Sequence, residues 1–160
     1  MAEITASVQV NAPLEKVWSV VSDLDNEPMF WKAMTGIRNI SQEGSVVRRE
    51  VTLGKVNRCM QIVTLSPKEK VHTEWIKGTI KGTKDLILSP NGNTTKLEAV
   101  LDYKFTGMAG FLSGKLQKDV QFEAEQAIQL IKEKAEGQPE KTVKMEERPL
   151  WADLINEKDK

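Results

Sequence analysis

Residues 96–135 read KLEAVLDYKFTGMAGFLSGKLQKDVQFEAEQAIQLIKEKA, and the spacing of the apolar residues changes inside them. At first Leu97, Ala99, Leu101, Tyr103 and Phe105 fall on one side, while Lys96, Glu98, Asp102 and Lys104 fall on the other. A period of two predicts a strand with one apolar face. Beyond Gly107, Gly110 and Gly114 the period lengthens to about 3.6. Leu112, Leu116, Val120, Ala124, Ala127, Ile131 and Ala135 then form a stripe, widened by Phe122 and Leu130, on a helix of about seven turns ending at Gly137. Strand and helix each carry an apolar face, and packing one on the other buries both.

Upstream, Ile4, Ala6, Val8 and Val10 alternate with Glu3, Thr5, Ser7 and Gln9, which predicts a first strand. Asn11 ahead of Ala12-Pro13 offers an N-cap, and Leu14, Val17, Trp18, Val21 and Leu24 recur at helical spacing, so a short helix is expected to about Ser22. Asp23 to Glu27 reads as a polar break. Pro28 then opens a second short element with Met29, Phe30, Trp31 and Met34, ending near Gly36. From Ile37 to Phe105, short strand-like runs are separated by turn chemistry at Gln42-Glu-Gly, Leu53-Gly-Lys, Ser66-Pro-Lys, Lys77-Gly, Lys81-Gly and Ser89-Pro-Asn-Gly-Asn, the punctuation of an antiparallel meander. The expected architecture is α+β: a curved antiparallel sheet of six or seven strands wrapped around a long C-terminal helix, with two short helices after strand one. Residues 1–137 form this domain. Residues 138–160 form a charged tail with Pro139, Pro149 and an apolar cluster of Leu150, Trp151, Leu154 and Ile155, either disordered or docking on the domain or a partner.

The 160 residues contain 23 Lys or Arg and 23 Asp or Glu, with 39% apolar residues, the composition of one ordinary globular domain with no demand for a nucleic-acid partner. Residues 46–84 carry nine Lys or Arg against three Asp or Glu, whereas residues 1–30 carry one against five. Such a basic stretch is either the solvated face of a sheet or a surface for anionic ligands and lipid headgroups. The single Cys59 excludes a disulfide framework and a cysteine-based metal site, and no other metal-ligand spacing or cofactor motif occurs. The N-terminal MAEITASVQV has no basic region followed by a long apolar stretch, and no segment reaches the roughly 20 apolar residues of a membrane span. A cytoplasmic location is expected.

A bent sheet has a concave face wider than one helix can fill, so an apolar pocket is expected beside the long helix. Several stretches bear on what kind of pocket this is. The run Val10-Asn-Ala-Pro-Leu-Glu-Lys-Val-Trp-Ser-Val-Val-Ser-Asp-Leu24, then Pro28 with Phe30-Trp31, the Trp75 to Gly78 strand, the Ser89-Pro to Thr95 hairpin and the helix end Leu130-Ile-Lys-Glu-Lys-Ala-Glu136 together resemble the START-like (SRPBCC) superfamily, especially its polyketide cyclase/dehydrase-like branch. The resemblance covers residues 3–136. It implies a helix-grip fold whose members bind lipids, quinones, hormones or polyketides in the cavity. No single activity follows, because such a family mixes carriers, receptors and enzymes.

The residues expected to contact a small apolar ligand are Phe30, Trp31, Arg49, Trp75, Leu101, Tyr103, Phe111, Leu112, Leu116 and Val120. Trp31 and Trp75 offer rigid aromatic walls, with ordinary core packing as the plainer alternative. Arg49 shares a strand face with Val47, Val51 and Leu53 and so points inward by alternation. It then needs an anion, either a ligand carboxylate or an internal one such as Glu74. His72 and Glu74 share a face two residues apart, the one arrangement resembling an acid/base pair, although His72 beside a lysine-rich turn also reads as a surface residue. The 107–114 loop, with Met108, Phe111 and Leu112 among glycines, is a lid or membrane-touching edge, or simply the strand-to-helix turn. Three functions stay open: a carrier of a hydrophobic small molecule such as a lipid, quinone or polyketide, a cyclase/dehydratase-type enzyme, or a protein- or membrane-interaction module using the 107–114 loop or the tail. No nucleophile elbow or other recognisable catalytic constellation favours the enzyme.

Overall fold

The chain enters the sheet at one edge and next joins it at the other. A computed structural model describes residues 3–105 and 113–137. Strand β1 (Ile4–Val10) is followed by helix α1 (Leu14–Val21) and a 3-10 helix (Leu24–Met29). The meander β2 (Met34–Glu43), β3 (Val46–Leu53), β4 (Asn57–Ser66), β5 (Lys70–Lys77), β6 (Ile80–Asn91) and β7 (Thr94–Phe105) comes next, and helix α2 (Ser113–Ala135) last. The seven strands form one curved antiparallel sheet in the order β1-β7-β6-β5-β4-β3-β2. Because β1 pairs with β7 (Ile4 opposite Leu101, Val8 opposite Leu97), the first and last strands become neighbours and α2 folds back across them.

Helix α2 lies on β1 and β7 through Leu116, Val120, Ala124, Ala127, Ile131 and Ala135, all at most 1% exposed. The small side chains at 124, 127 and 135 let helix and sheet backbones approach closely. Phe122, expected to widen the stripe, is instead exposed. Two residues past Val120 it is turned by about 200°, onto the opposite side of the helix. Ile128, Glu123, Gln126 and Glu133 are buried in its stead. At the far end Lys132 Nζ donates to Gln9 O, and Glu136 Oε2 accepts from Asn11 N, so the last helical turn is tied to the end of β1.

Three local expectations are corrected. Asn11 does not cap α1: Pro13 holds the cap position in an extended conformation, and its carbonyl receives the amides of Lys16 and Val17. The supposed polar break at 23–27 is largely the 3-10 helix itself, with Pro28 inside it and Gly36 already in β2. Local polarity misled because one of those polar residues, Glu27, is buried. Lys81-Gly82 is not a turn but lies within β6. Residues 106–112, including Phe111 and Leu112, and the tail 138–160 fall outside the described residues. Among the described residues no helix is long and apolar enough to cross a membrane.

Gly82 holds a place within β6 that only glycine can take. It sits opposite Trp75 on β5 and Tyr103 on β7 with φ +125°, and a Cβ there would lie 1.9 Å from the Asp102 carbonyl oxygen. Gly92, in the β6–β7 turn, has φ +64° but open space around it. Gly82→Ala is therefore expected to destabilise by about 3 kcal/mol or more, and Gly92→Ala by about 1 kcal/mol. Urea unfolding measures both, and equal midpoints for the two variants count against a steric role for Gly82.

Candidate functional site

Alternation along β3 to β6 sends polar as well as apolar side chains to the concave face. Arg49 is flanked there by Val47 and Val51, Gln61 by Cys59 and Val63, Thr73 by Val71 and Trp75, and Lys84 by Leu86, and all four polar residues are buried. The register joins them: Arg49 opposes Gln61, Gln61 opposes Trp75, and Thr73 opposes Lys84. A polar band thus crosses an otherwise apolar surface.

The band is closed from above by the segment after α1. Glu27, on the 3-10 helix, reaches down between the two cations, its Oε1 accepting from Arg49 Nη2 and its Oε2 from Lys84 Nζ at 2.6 Å. Arg49 Nε donates to Gln61 Oε1 at 2.8 Å and Nη1 to the Leu24 carbonyl at 3.4 Å. Lys84 Nζ also stands 4.1 Å from the centre of the Trp31 ring, a cation–π contact. Burial by itself would push the Glu27 carboxyl up, but Lys84 and then Arg49 outweigh it and hold the group at about 2. On the helix side, Glu123 Oε2 accepts the Ala33 amide at 2.7 Å, tying α2 to the chain just after Trp31.

Beside the band runs an aromatic wall. Trp75 meets Tyr103 edge to face with ring centroids 5.6 Å apart, and Tyr103 meets Phe105 in the same manner at 6.4 Å. The first contact is made across Gly82, which has no side chain to separate the rings. Burial, reinforced by the Glu123 carboxylate, pushes the Tyr103 phenol well above its ordinary range.

The structure brings Phe30, Trp31, Arg49, Trp75, Leu101, Tyr103, Leu116 and Val120 into the interior, each at most 6% exposed. The inward turn of Arg49 agrees with its alternation, but its carboxylate is Glu27 and not Glu74. Glu74 is exposed on the convex face, because on β5 it alternates with buried Thr73 and Trp75. His72 shares that outer face. It does not pair with Glu74: its Nδ1 lies 2.5 Å from Asp85 Oδ1 on the neighbouring strand. Glu27, Gln61 and Lys84 were missed by the sequence reading. The period-two position of Lys84 relative to Leu86 and Leu88, and of Gln61 relative to Cys59 and Val63, carried a usable signal. Nothing local marked Glu27. No cluster of three or more His, Cys, Asp or Glu able to hold a metal occurs among the described residues.

A curved sheet gripping a C-terminal helix, with polar groups set into a buried apolar face, defines a helix-grip protein. The chain belongs to the polyketide cyclase/dehydrase and lipid transport family, whose model matches residues 1–136. Solved structures share the fold. TTHA0849 from Thermus thermophilus superimposes with a TM-score of 0.73 at 20% identity, covering 84% of this chain and 97% of that one. The Zhui aromatase/cyclase from Streptomyces sp. R1128 gives 0.70 at 12% identity, over 84% and 93%. A START superfamily protein from Mycobacterium smegmatis gives 0.58 at 20% identity, over 77% and 94%. No curated protein matches the sequence.

The ion triad makes a pH prediction. Folding lowers the Glu27 pKa from 4.5 to about 2, so the stability it supplies is complete above about pH 4.5 and is lost as pH falls toward 2. Glu27→Gln leaves two buried cations without their carboxylate and is expected to cost about 3–5 kcal/mol at neutral pH. Urea midpoints measured from pH 7 to pH 2 should fall more shallowly for the variant across that window. Parallel curves for variant and wild type would remove Glu27 from this role.

Proposed function

We propose that the protein binds a small, predominantly apolar molecule between α2 and the concave face of the sheet. The observation carrying this reading is the aromatic wall Trp75–Tyr103–Phe105, which runs along the inner face from buried Trp75 to half-buried Phe105 at the end of β7. Edge-to-face rings present broad rigid surface that loses little entropy when covered. Membership of a family described by cyclase, dehydrase and lipid-transport functions supports a ligand of this kind. Phe30, Trp31, Leu101, Leu116 and Val120 complete the apolar surroundings.

An enzyme of cyclase or dehydratase type is the second reading. It is favoured by Tyr103, a buried phenol kept protonated beside the Glu123 carboxylate, since a proton donor inside an apolar site is what such chemistry uses. Turnover of a bound ligand would separate the enzyme from the carrier.

Native mass spectrometry of the purified protein, alone and with a panel of fatty acids, isoprenoid quinones and polycyclic ketones, tests binding. One-to-one complexes with a raised unfolding temperature are expected for at least one class. Phe105→Ala should weaken that complex by about tenfold, ~1.4 kcal/mol, with the fold intact because the side chain is half-exposed. A folded protein that captures no member of the panel would sink the reading.

A further inference from the structure

The buried cations are already occupied. Arg49 spends its Nε, Nη1 and Nη2 groups on Gln61, Leu24 and Glu27, and Lys84 stands between Glu27 and the Trp31 ring. Counting the buried Glu123 carboxylate beside Ala33, the region holds two cations and two acids. Among the described residues an incoming anion would find no uncompensated positive charge, and it would lose its hydration on a buried face.

A different set of groups is unsatisfied. Trp31 Nε1, Gln61 Nε2, Thr73 Oγ1 and Trp75 Nε1 are buried without a hydrogen-bond partner among the described residues. Strand register and the Lys84–Trp31 contact bring them to one region. Gln61 opposes Trp75, two residues beyond Thr73, so Gln61 and Thr73 are diagonal neighbours across β4 and β5 at roughly 7–8 Å. Thr73 opposes Lys84, whose ammonium lies over the Trp31 ring. The indole and amide groups can only donate, and the hydroxyl can donate as well. Buried polar atoms almost always have partners, so four in this region call for an acceptor.

Resting on the reading that this face binds an apolar molecule, we propose that its ligand is a neutral oxygen acceptor, a ketone, quinone or ester. Its oxygen is received by one or more of Trp31, Gln61 and Thr73, while Arg49 and Lys84 serve the internal ion network. The site selects against the acid of the same carbon skeleton.

Titration with three probes of nearly equal size tests this: 2-acetylnaphthalene, 2-ethylnaphthalene and 2-naphthoate. The ketone should bind about tenfold more tightly than the hydrocarbon, the size of effect one or two hydrogen bonds produce, and the carboxylate more weakly than the ketone. Thr73→Val should bring the ketone toward the hydrocarbon while leaving hydrocarbon affinity unchanged, which also shows that the variant is folded, and Trp31→Phe, which trims apolar surface as well as a donor, should weaken the ketone more than the hydrocarbon. Thr73→Val should melt at or above the wild-type temperature, because it removes an unpaired buried hydroxyl. Equal affinities for ketone and hydrocarbon, or tightest binding of naphthoate, would overturn the assignment while leaving ligand binding standing. A lower melting temperature for Thr73→Val would overturn it as well, by showing the hydroxyl to be paired within the protein. If none of the three probes binds, the reading of an apolar ligand site falls, and this proposal with it.

Discussion

The carboxylate of Glu27 lies between Arg49 and Lys84, and much of the arrangement depends on that contact. Two cations on the concave face would be prohibitively costly to bury without it. The constraint runs in both directions. Strands β3 and β6, separated in the sheet by β4 and β5, are joined through one acid, and the acid in turn fixes the 3-10 helix over the sheet. That placement sets Phe30 and Trp31 in the interior, and Ala33, two residues on, donates to Glu123 of α2. Sheet, 3-10 helix and long helix are thereby positioned by a single connected polar system.

Removing water from such a system raises the stakes of every polar atom in it. Groups with partners strengthen the fold, and groups without them weaken it unless something else enters. The face therefore divides into two chemical parts. One is an ion network whose charges answer each other. The other is a set of buried donors without partners among the described residues, beside an aromatic wall. A ligand bound there, as proposed, need not break the contacts that hold the 3-10 helix.

Geometry also limits what the sheet can display. At Gly82 the backbone takes a conformation and a closeness to Asp102 that no side chain tolerates, and the missing side chain lets Trp75 and Tyr103 touch over it. One residue thus lets two aromatic neighbours join into a wall. The same residue looked like turn punctuation in the sequence, since a glycine after a lysine carries the same local signal whether the chain reverses or only twists.

Periodicity along the chain determined the first and last strands, the long helix and the inward side of β1, β3 and β7. Arg49 was assigned inward on that basis, and the inner residues of β7 and the small-residue stripe of α2 were equally plain, because burial on a regular element repeats at the element's own period. What periodicity does not contain is which inward groups meet. Glu27 is separated from Arg49 by 22 residues and from Lys84 by 57, and Asp25 and Asn26 before it are polar and exposed, so nothing local distinguished it from a loop acid. Phe122 shows the converse, an apolar residue that two steps of helical rotation carry to solvent. Pairing between distant charges, the partner of His72 and the donors left over once pairing is complete arise only when strand register and helix placement bring separate segments together, and the tertiary structure alone decided them.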